Sequence, residues 1–284
     1  MKFFKKKRKR KSFFSIIDKF LHRSGLGEKA SCPKKAIHFL NIAQCLGALN
    51  DNFFKFLLVF LFIDIKGVEN APSILALAGA VYVLPFLLFS SFAGVLADRF
   101  SKQKLIVFLK FTEIIIVVLG IPAFIFKSDL ASYTLLFLLA MQSAFFGPPK
   151  YSIVPELVEK EKISKANGLI TSFTYLGIIL GTFIVPVLIK ITNRNYPLSA
   201  GVCTIIAIMG FIASIFIPKT EAKRSKKKMN PFFIHDIYRS LRYAKKIPYL
   251  FITILGSASF LFIASYFQLN LIPFVVQSLN MTPE

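Results

Sequence analysis

The stretch "GVLADRFSKQK", Gly94–Lys104, is a short charged turn between two long apolar segments. Ser73–Leu96 leads into it and Leu105–Phe126 follows it, and each segment is long enough to cross the ~30 Å apolar core of a membrane as a helix. A basic turn between two such helices is typical of a cytoplasmic loop, because Lys and Arg are retained on that side. The stretch therefore predicts a helical hairpin in a membrane.

Apolar segments of this length recur along the whole chain, so the sequence predicts an all-α integral membrane protein. Of its 284 residues 55% are hydrophobic and 33 are Phe, which exceeds the ~45–50% apolar share of soluble domains. An eighth span is predicted to begin at Met281–Glu284, after the seven complete ones. Those seven are Ala36–Ile63, Ser73–Leu96, Leu105–Phe126, Ser132–Val154, Gly168–Ile189, Leu198–Ile217 and Pro248–Val276.

The net charge of +22 is concentrated in segments that adjoin the predicted spans. The region before Ala36 holds thirteen Lys and Arg, and Pro218–Ile247 holds ten more. This placement indicates cytoplasmic ends of membrane helices rather than a nucleic-acid groove, and it predicts a cytoplasmic N-terminus. A connection on the predicted outer side is a mild exception, because it carries Lys190 and Arg194.

The order of spans and basic segments predicts four regions. Residues 1–35 form a basic cytoplasmic tail, 36–217 a six-helix transmembrane bundle, 218–247 a cytoplasmic linker, and 248–284 the first helix of a second, incomplete bundle. We expect the tail either to lie on the anionic inner leaflet of the membrane or only to enforce the topology of the chain.

The linker contains "PFFIHDIYRSLRYAKK", Pro231–Lys246, which predicts an interfacial amphipathic helix. Phe233, Ile237 and Leu241 recur at intervals of four residues, and basic side chains stand beside them. Such a helix is suited to the membrane surface between two transmembrane halves.

Residue types with metal-binding or catalytic chemistry are scattered. Cys32, Cys45 and Cys203 form no close pair and the three His are equally dispersed, so we expect neither a disulfide framework nor a metal site. The chain has no His-x-x-x-x-Asp acyltransferase motif and no phosphate-binding Gly-rich loop. We therefore expect no cofactor and no enzymatic activity.

The segment "LNDNFFK", Leu49–Lys55, places polar residues deep in the first span. Asp51 lies ~21 Å along the helix from its start, near the middle of the apolar core. Asp51 and Lys55 each cost ~2.5–3.5 kcal/mol there, and the apolar side chains of the span contribute roughly 5–10 kcal/mol, so the charges should face the bundle interior. On one helical face they either line a cavity or pair only with each other.

The segment "FFGPPKYSIVPEL", Phe145–Leu157, ends the fourth span. Its Gly147-Pro148-Pro149 run predicts an interrupted helix beside a water-filled cavity, because membrane helices tolerate irregular backbone only there or against protein. Lys150 follows directly, and we expect it either to pair with Asp51 across the cavity or to extend to the cytoplasm.

Two further features of the spans are expected to serve packing. Gly177 and Gly181 form a GxxxG face in the fifth span, which favours close helix contact. Glu113 in the third span lies near Lys110, and local pairing of the two explains this carboxylate at least as well as a functional role.

The charged turn carries a resemblance to a known family. It is similar to the signature Gly-x-Leu-Ala-Asp-Arg-x-Gly-Arg-Lys that joins helices two and three in the major facilitator superfamily. Ser101, Lys102 and Gln103 depart from it. The six spans, linker and further span also resemble that family's plan of two related six-helix halves. The implied fold is a major facilitator fold with an N-terminal bundle and the start of a C-terminal one, so we expect a fragment or a truncated form of a twelve-helix protein.

Four residues of the turn have expected physical roles, three that match the signature and Lys102, which replaces its Arg. Gly94 permits close helix approach, Asp98 accepts hydrogen bonds from a neighbouring helix end, and Arg99 and Lys102 reach phosphates. In the family this loop steadies one conformation of the alternating-access cycle, so we call Gly94, Asp98, Arg99 and Lys102 the conformational-switch loop.

Three clusters together resemble the bacterial lysophospholipid transporter branch, which includes transporter-like domains fused to acyltransferase and acyl-carrier-protein synthetase modules. They are "AQCLGALNDNFFK" (Ala43–Lys55), "GPPKYSIVPEL" (Gly147–Leu157) and "KANGL" (Lys165–Leu169). The resemblance implies substrate contacts at Asp51, Asn52 and Lys150, and we add the neighbouring Lys55 and Tyr151.

The implied function is movement of lysophosphatidylethanolamine-like lipid across the inner membrane by alternating access, for re-acylation on the cytoplasmic face. A zwitterionic headgroup suits one carboxylate and one ammonium, and Phe-rich walls suit an acyl chain. Two alternatives stay open at this point: a permease for a small solute or drug, and a non-transporting membrane module of an acyltransferase system that acts with a fused or partner enzyme.

Overall fold

The computed structural model describes residues 33–220 and 233–278, and these residues fold into helices. Short 3₁₀ turns lie at Val68–Asn70 and Lys160–Lys162. The α-helices, numbered in chain order, are α1 (Pro33–Lys66), α2 (Ala71–Arg99), α3 (Lys102–Ile125), α4 (Asp129–Ser152), α5 (Val154–Leu157), α6 (Ile163–Ile191), α7 (Tyr196–Ile215), α8 (Phe233–Ala244) and α9 (Pro248–Ser278).

Seven of these helices are long and apolar enough to cross a membrane, namely α1, α2, α3, α4, α6, α7 and α9. The predicted number of complete spans and the all-α class are confirmed. Helix α1 runs past its predicted span and ends at Lys66 rather than Ile63, whereas α4 ends at Ser152, before the predicted Val154. Helix α1 continues because the charged side chains at its end reach water. The predicted tail up to residue 32 and the predicted eighth span lie outside the described residues.

The prolines of the fourth span lie inside a continuous helix. The prediction that Gly147-Pro148-Pro149 interrupts this span is wrong, because α4 runs through both prolines to Ser152. The next turn forms normally, since the Ile153 N–H donates to the Pro149 carbonyl at 3.0 Å. Neighbouring helices α2 and α3 pack along α4, and such neighbours make the loss of two N–H donors tolerable in a membrane bundle.

Helix α1 is the central element and packs against α6, α7, α2 and α4. Phe53 and Phe54 on this helix are completely buried. Its polar residues Asn50, Asp51 and Asn52 are at most 5% exposed, which confirms that this part of the segment faces the bundle interior. Lys55, one turn further on, is half-buried.

The two glycines of α6 bring its backbone into direct contact with α1. A Cβ atom added at Gly177 would lie 2.4 Å from the carbonyl oxygen of Cys45, and one added at Gly181 would lie 2.6 Å from that of Leu49. Both distances are far shorter than a normal contact between carbon and oxygen. The predicted close packing through the GxxxG face is therefore confirmed.

A substitution at Gly181 tests this contact. We expect Gly181→Ala to destabilise the protein by about 1–3 kcal/mol, because its methyl group would force α1 and α6 apart. Gly168→Ala is the matched control on the same helix, since a Cβ there meets nothing within 4 Å. Thermal unfolding of both variants in detergent should separate them, and equal melting temperatures would show that the glycine contact contributes no stability.

Helices α2 and α4 contact each other through several phenylalanine rings. Phe145 of α4 stacks on Phe89 with the ring centroids 5.8 Å apart, and its edge meets Phe92 at 5.7 Å. Phe137 meets Phe89 at 6.5 Å. Such aromatic pairs stabilise the contact between the two helices.

One end of the bundle is closed by charged and polar side chains. Arg194 donates to Asp64 of α1 at 2.9 Å, and the Tyr196 hydroxyl donates to the same carboxylate. Lys66 pairs with Asp129 at the start of α4. Arg194 was one of the basic residues that made this connection an exception to the charge rule. Its pairing with Asp64 offsets that charge.

The predicted linker helix forms as α8, Phe233–Ala244. The side chains of Phe233 and Ile237, which carried the prediction of an apolar face, lie outside the described residues. Leu241 is 42% exposed and Ala244 is buried. A location of α8 at the membrane surface stays a prediction.

Candidate functional site

A polar cavity of about 140 Å³ lies within the bundle. Helices α1, α2, α3, α4 and α6 each contribute to its wall. Its volume is below the ~300–1,000 Å³ of pockets that enclose drug-sized ligands, so it suits a small polar group rather than a whole lipid. The lining residues are Gln44, Gly47, Ala48, Asp51, Asn52, Tyr82, Phe86, Lys110, Gln142, Ser143, Phe146, Lys150, Thr174 and Ile178.

Asp51 is the carboxylate of this cavity and is only 4% exposed. Its Oδ2 accepts hydrogen bonds from the Ser143 hydroxyl of α4 and from the Tyr82 hydroxyl of α2, the latter at 3.4 Å. Its Oδ1 is buried and has no hydrogen-bond partner among the described residues. A buried carboxylate oxygen without a partner is costly, so Oδ1 is suited to receive a donor from a ligand.

Asn52 and Lys55 form a hydrogen-bonded chain beside the cavity. The Asn52 amide donates to the Ala48 carbonyl at 2.9 Å, and the Lys55 ammonium donates to Asn52 Oδ1 at 3.1 Å. Lys55 also lies 5.1 Å from the ring centre of Tyr82. Asn52 lines the cavity whereas Lys55 does not. Lys55 forms no ion pair with Asp51 within the described residues, so the alternative of a self-contained pair on α1 is not what the structure contains.

Lys150 near the end of α4 lines the cavity, and its ammonium lies 4.9 Å from the ring centre of Tyr151. Tyr151 itself is 44% exposed and is not part of the cavity wall. Asp51 and Lys150 thus face the same space, but the described ion pairs do not join them. Tyr151 is separated from the other candidate contacts because the next residue on a helix points about 100° away.

The sequence did not identify Lys110 as a cavity residue. Its ammonium lies 2.7 Å from Glu113, which agrees with the expected local pairing of these two residues. Lys110 also lines the cavity. Ser143 and Tyr82 were missed as partners of Asp51. The sequence did contain a signal for both residues, because each is a polar side chain within an apolar span. Such a side chain is costly in a membrane unless it faces a partner or a cavity.

The conformational-switch loop has two features that differ from expectation. Lys102 is 2% exposed and its ammonium pairs with Glu156 of α5, so the expectation that it reaches phosphates is wrong. A Cβ added at Gly94 would meet nothing within 4 Å, so the expected close helix approach there is also wrong. Asp98 and Arg99 are half-buried at the end of α2. Asp98 makes no side-chain hydrogen bond with another described residue.

The sequence profile of the Major Facilitator Superfamily matches residues 40–283. The chain belongs to the Major Facilitator Superfamily. That match includes nearly all of the seven candidate membrane helices, so the family assignment covers the bundle, the linker and α9 together. This protein is accordingly a multi-pass membrane protein.

Several curated relatives carry the name lysophospholipid transporter LplT. The protein of Photorhabdus laumondii is 29% identical over 153 residues, which are 53% of this chain and 35% of the relative. The protein of Yersinia enterocolitica is 27% identical over 192 residues, which are 66% of this chain and 44% of the relative. The matched region thus spans less than half the length of these relatives. The predicted resemblance to the lysophospholipid transporter branch is confirmed.

Solved structures of the peptide transporter POT share the fold. One, a mutant bound to alafosfalin, has a TM-score of 0.51 and 16% identity over 82% of this chain and 51% of that chain. Another, bound to sulfate, has a TM-score of 0.50 and 16% identity, and covers 85% of this chain and 52% of that one. At this identity the likeness supports the fold alone.

Proposed function

We propose that this superfamily member moves lysophospholipid of the lysophosphatidylethanolamine type across the bacterial inner membrane. The observation that carries the proposal is the cavity in which Asp51, whose Oδ1 has no hydrogen-bond partner in the described part of the chain, faces the same space as Lys150. The names of the relatives in Photorhabdus and Yersinia point to the same class of substrate.

The headgroup of such a lipid carries an ammonium and a phosphate. The ammonium would donate to Asp51 Oδ1 and the phosphate oxygens would accept from Lys150, because charge-assisted hydrogen bonds are the strongest available in a site with little water. Asn52 adds an amide to the same wall. The cavity volume of about 140 Å³ accommodates this headgroup and leaves the acyl chain among the phenylalanine rings and the surrounding lipid.

The remaining parts of the transport cycle follow from family membership and stay proposals. Residues 36–217 form the N-terminal half, 218–247 the cytoplasmic linker, and 248–284 the beginning of the second half, with the N-terminus in the cytoplasm. Alternating access between the halves would carry the lipid to the cytoplasmic leaflet, independently of an energy source. An acyltransferase, either a partner or fused to the chain, would then re-acylate it there.

A reconstituted assay tests this proposal. The full-length protein is placed in liposomes with lysophosphatidylethanolamine that carries a fluorophore at the end of its acyl chain, so the headgroup is unchanged. We expect the fraction of lipid accessible to a membrane-impermeant quencher to change with time at least tenfold faster than in protein-free liposomes. Addition of a proton uncoupler should not alter this rate.

Two results of the same assay would contradict the proposal. If labelled lysophospholipid does not move, and the protein instead transports a small solute at a rate that collapses with the uncoupler and is unaffected by lysophospholipid, the protein is a permease for a small solute or drug. If no substrate moves while the protein still increases the rate of an added acyltransferase, it is a non-transporting module of an acyltransferase system.

A further inference from the structure

Lys110 is the least exposed cation of the cavity and is fixed on several sides. Its ammonium lies 2.7 Å from Glu113 Oε2, and the other oxygen of Glu113 accepts from the Asn50 amide at 3.0 Å. Lys110 and Glu113 are 2% and 1% exposed. The pair therefore belongs to a buried network that connects α1 and α3 at the cavity wall.

Glycines leave the space that the Lys110 ammonium occupies. A Cβ added at Gly47 of α1 would lie 2.3 Å from Lys110 Nζ, and one added at Gly210 of α7 would lie 3.7 Å from it. The ring centre of Phe146 is 5.1 Å from the same nitrogen. The ammonium thus sits in a notch between two helices, where a larger residue at position 47 would displace it.

The geometry makes Lys110 available to a ligand as well as to Glu113. An ammonium has three N–H donors, and Glu113 accepts from one of them among the described residues. Lys110 and Gly47 both form part of the cavity wall, as does Asp51. A headgroup whose ammonium is bound by Asp51 therefore has a second cation besides Lys150 within the same small volume.

We propose that Lys110 contacts the phosphodiester of the substrate and that Glu113 determines which headgroups the cavity accepts. Glu113 cancels one positive charge beside the phosphate, so the cavity favours a zwitterionic headgroup, which has no net charge, over an anionic headgroup without an ammonium. This inference rests on the proposed function and names the charge class of its substrate. Selectivity arises as a difference between two binding free energies, and a unit charge a few ångströms away changes that difference directly.

The test compares two lysophospholipids in the liposome assay, one with an ethanolamine and one with a glycerol headgroup. The variant is Glu113→Gln, which keeps the size of the side chain. Its amide oxygen can accept from Lys110, and its NH2 group can donate to Asn50 Oδ1, which has no hydrogen-bond partner among the described residues. We expect the ratio of the transport rate of the glycerol lipid to that of the ethanolamine lipid to rise roughly tenfold relative to wild type. The variant removes one negative charge from the cavity, and this favours the anionic lipid. Asp129→Asn is the matched control, because it removes one carboxylate near the exposed end of α4, and its ratio should equal that of wild type.

A second variant keeps the inference testable if Glu113→Gln yields little folded protein. The double change Lys110→Met with Glu113→Leu removes both charges at once, and apolar replacement of a whole buried ion pair is often neutral for stability. We expect at least a tenfold loss of transport for both lipids, because the phosphate contact is gone. Its control is Lys66→Gln with Asp129→Asn, which removes the exposed pair at the end of the bundle.

The outcomes separate this inference from the proposed function. If wild-type protein moves neither lysophospholipid, the proposed function fails. If wild-type protein moves them and the ratio is the same in Glu113→Gln, in Asp129→Asn and in wild type, Glu113 does not set selectivity and the inference is wrong. Wild-type rates for both lipids in the double variant would equally exclude Lys110 as a contact.

Discussion

Asp51→Asn is expected to reduce lysophospholipid transport at least ~30-fold while the protein still folds and inserts. Asparagine has the same size, and its amide oxygen can accept from Ser143 and Tyr82, which donate to Asp51 in the wild-type protein. It offers no negative charge to the ammonium of the substrate. Loss of one partner of a desolvated charge pair costs about 2–5 kcal/mol, and ~2 kcal/mol corresponds to ~30-fold.

The measurement is the initial rate of quencher accessibility in liposomes, together with thermal unfolding of the variant in detergent. The matched control is Asp64→Asn, which removes a carboxylate from the other part of α1 where Asp64 binds Arg194. That exposed ion pair contributes little, so transport should stay within about twofold of wild type. A wild-type rate for Asp51→Asn would exclude Asp51 as the ammonium site.

Lys150→Gln is expected to reduce transport about tenfold. Glutamine keeps a hydrogen-bond donor for phosphate but loses the positive charge, and hydrogen bonds to charged groups are worth about 1.5–3 kcal/mol against ~1 for neutral ones. The effect is smaller than that of Asp51 because Lys110 supplies a second cation to the same cavity. Rates are measured over a range of lipid concentrations, so that weaker binding appears as a raised apparent KM.

Two lysines provide the comparison for this variant. Lys55 donates to Asn52 and is not part of the cavity wall, so Lys55→Gln should reduce transport less than Lys150→Gln does. Lys190 at the end of α6 is exposed, and Lys190→Gln should transport as wild type does. If Lys55→Gln has the larger effect, the phosphate contact lies at Lys55 and the assignment to Lys150 is wrong.

The features that the sequence predicted correctly depend on hydrophobic length and helical period. The seven complete spans and the inward position of Asp51 follow from the cost of leaving polar groups in lipid. The contact at Gly177 and Gly181 follows from residue size alone. None of these features requires knowledge of which helix lies next to which.

The features that the sequence did not predict depend on neighbours that are remote in the chain. Lysine is a residue type that often binds phosphate, but the ammonium of Lys102 forms an ion pair with Glu156 of α5. The sequence predicted only a local pair of Lys110 with Glu113. The position of Lys110 opposite Gly47 arises only when α1 and α3 pack together. The Pro148-Pro149 pair predicted an interruption of the fourth span. The sequence does not show that α2 and α3 pack along this helix and so make the prolines tolerable.

The glycine contact between α1 and α6 has a mechanical consequence for the bundle. Where backbone meets backbone, no side-chain torsion can adjust, so α1 can neither rotate about its axis nor slide along α6 without a steric collision. We therefore expect α1 and α6 to move as one rigid unit on their side of the cavity. On the wall formed by α2 and α4, the rings of Phe89, Phe92 and Phe145 lie between the helices, and we expect changes in their side-chain torsions to allow small relative shifts. Among the described helices, we therefore expect the wall formed by α2 and α4 to move more easily than the contact between α1 and α6.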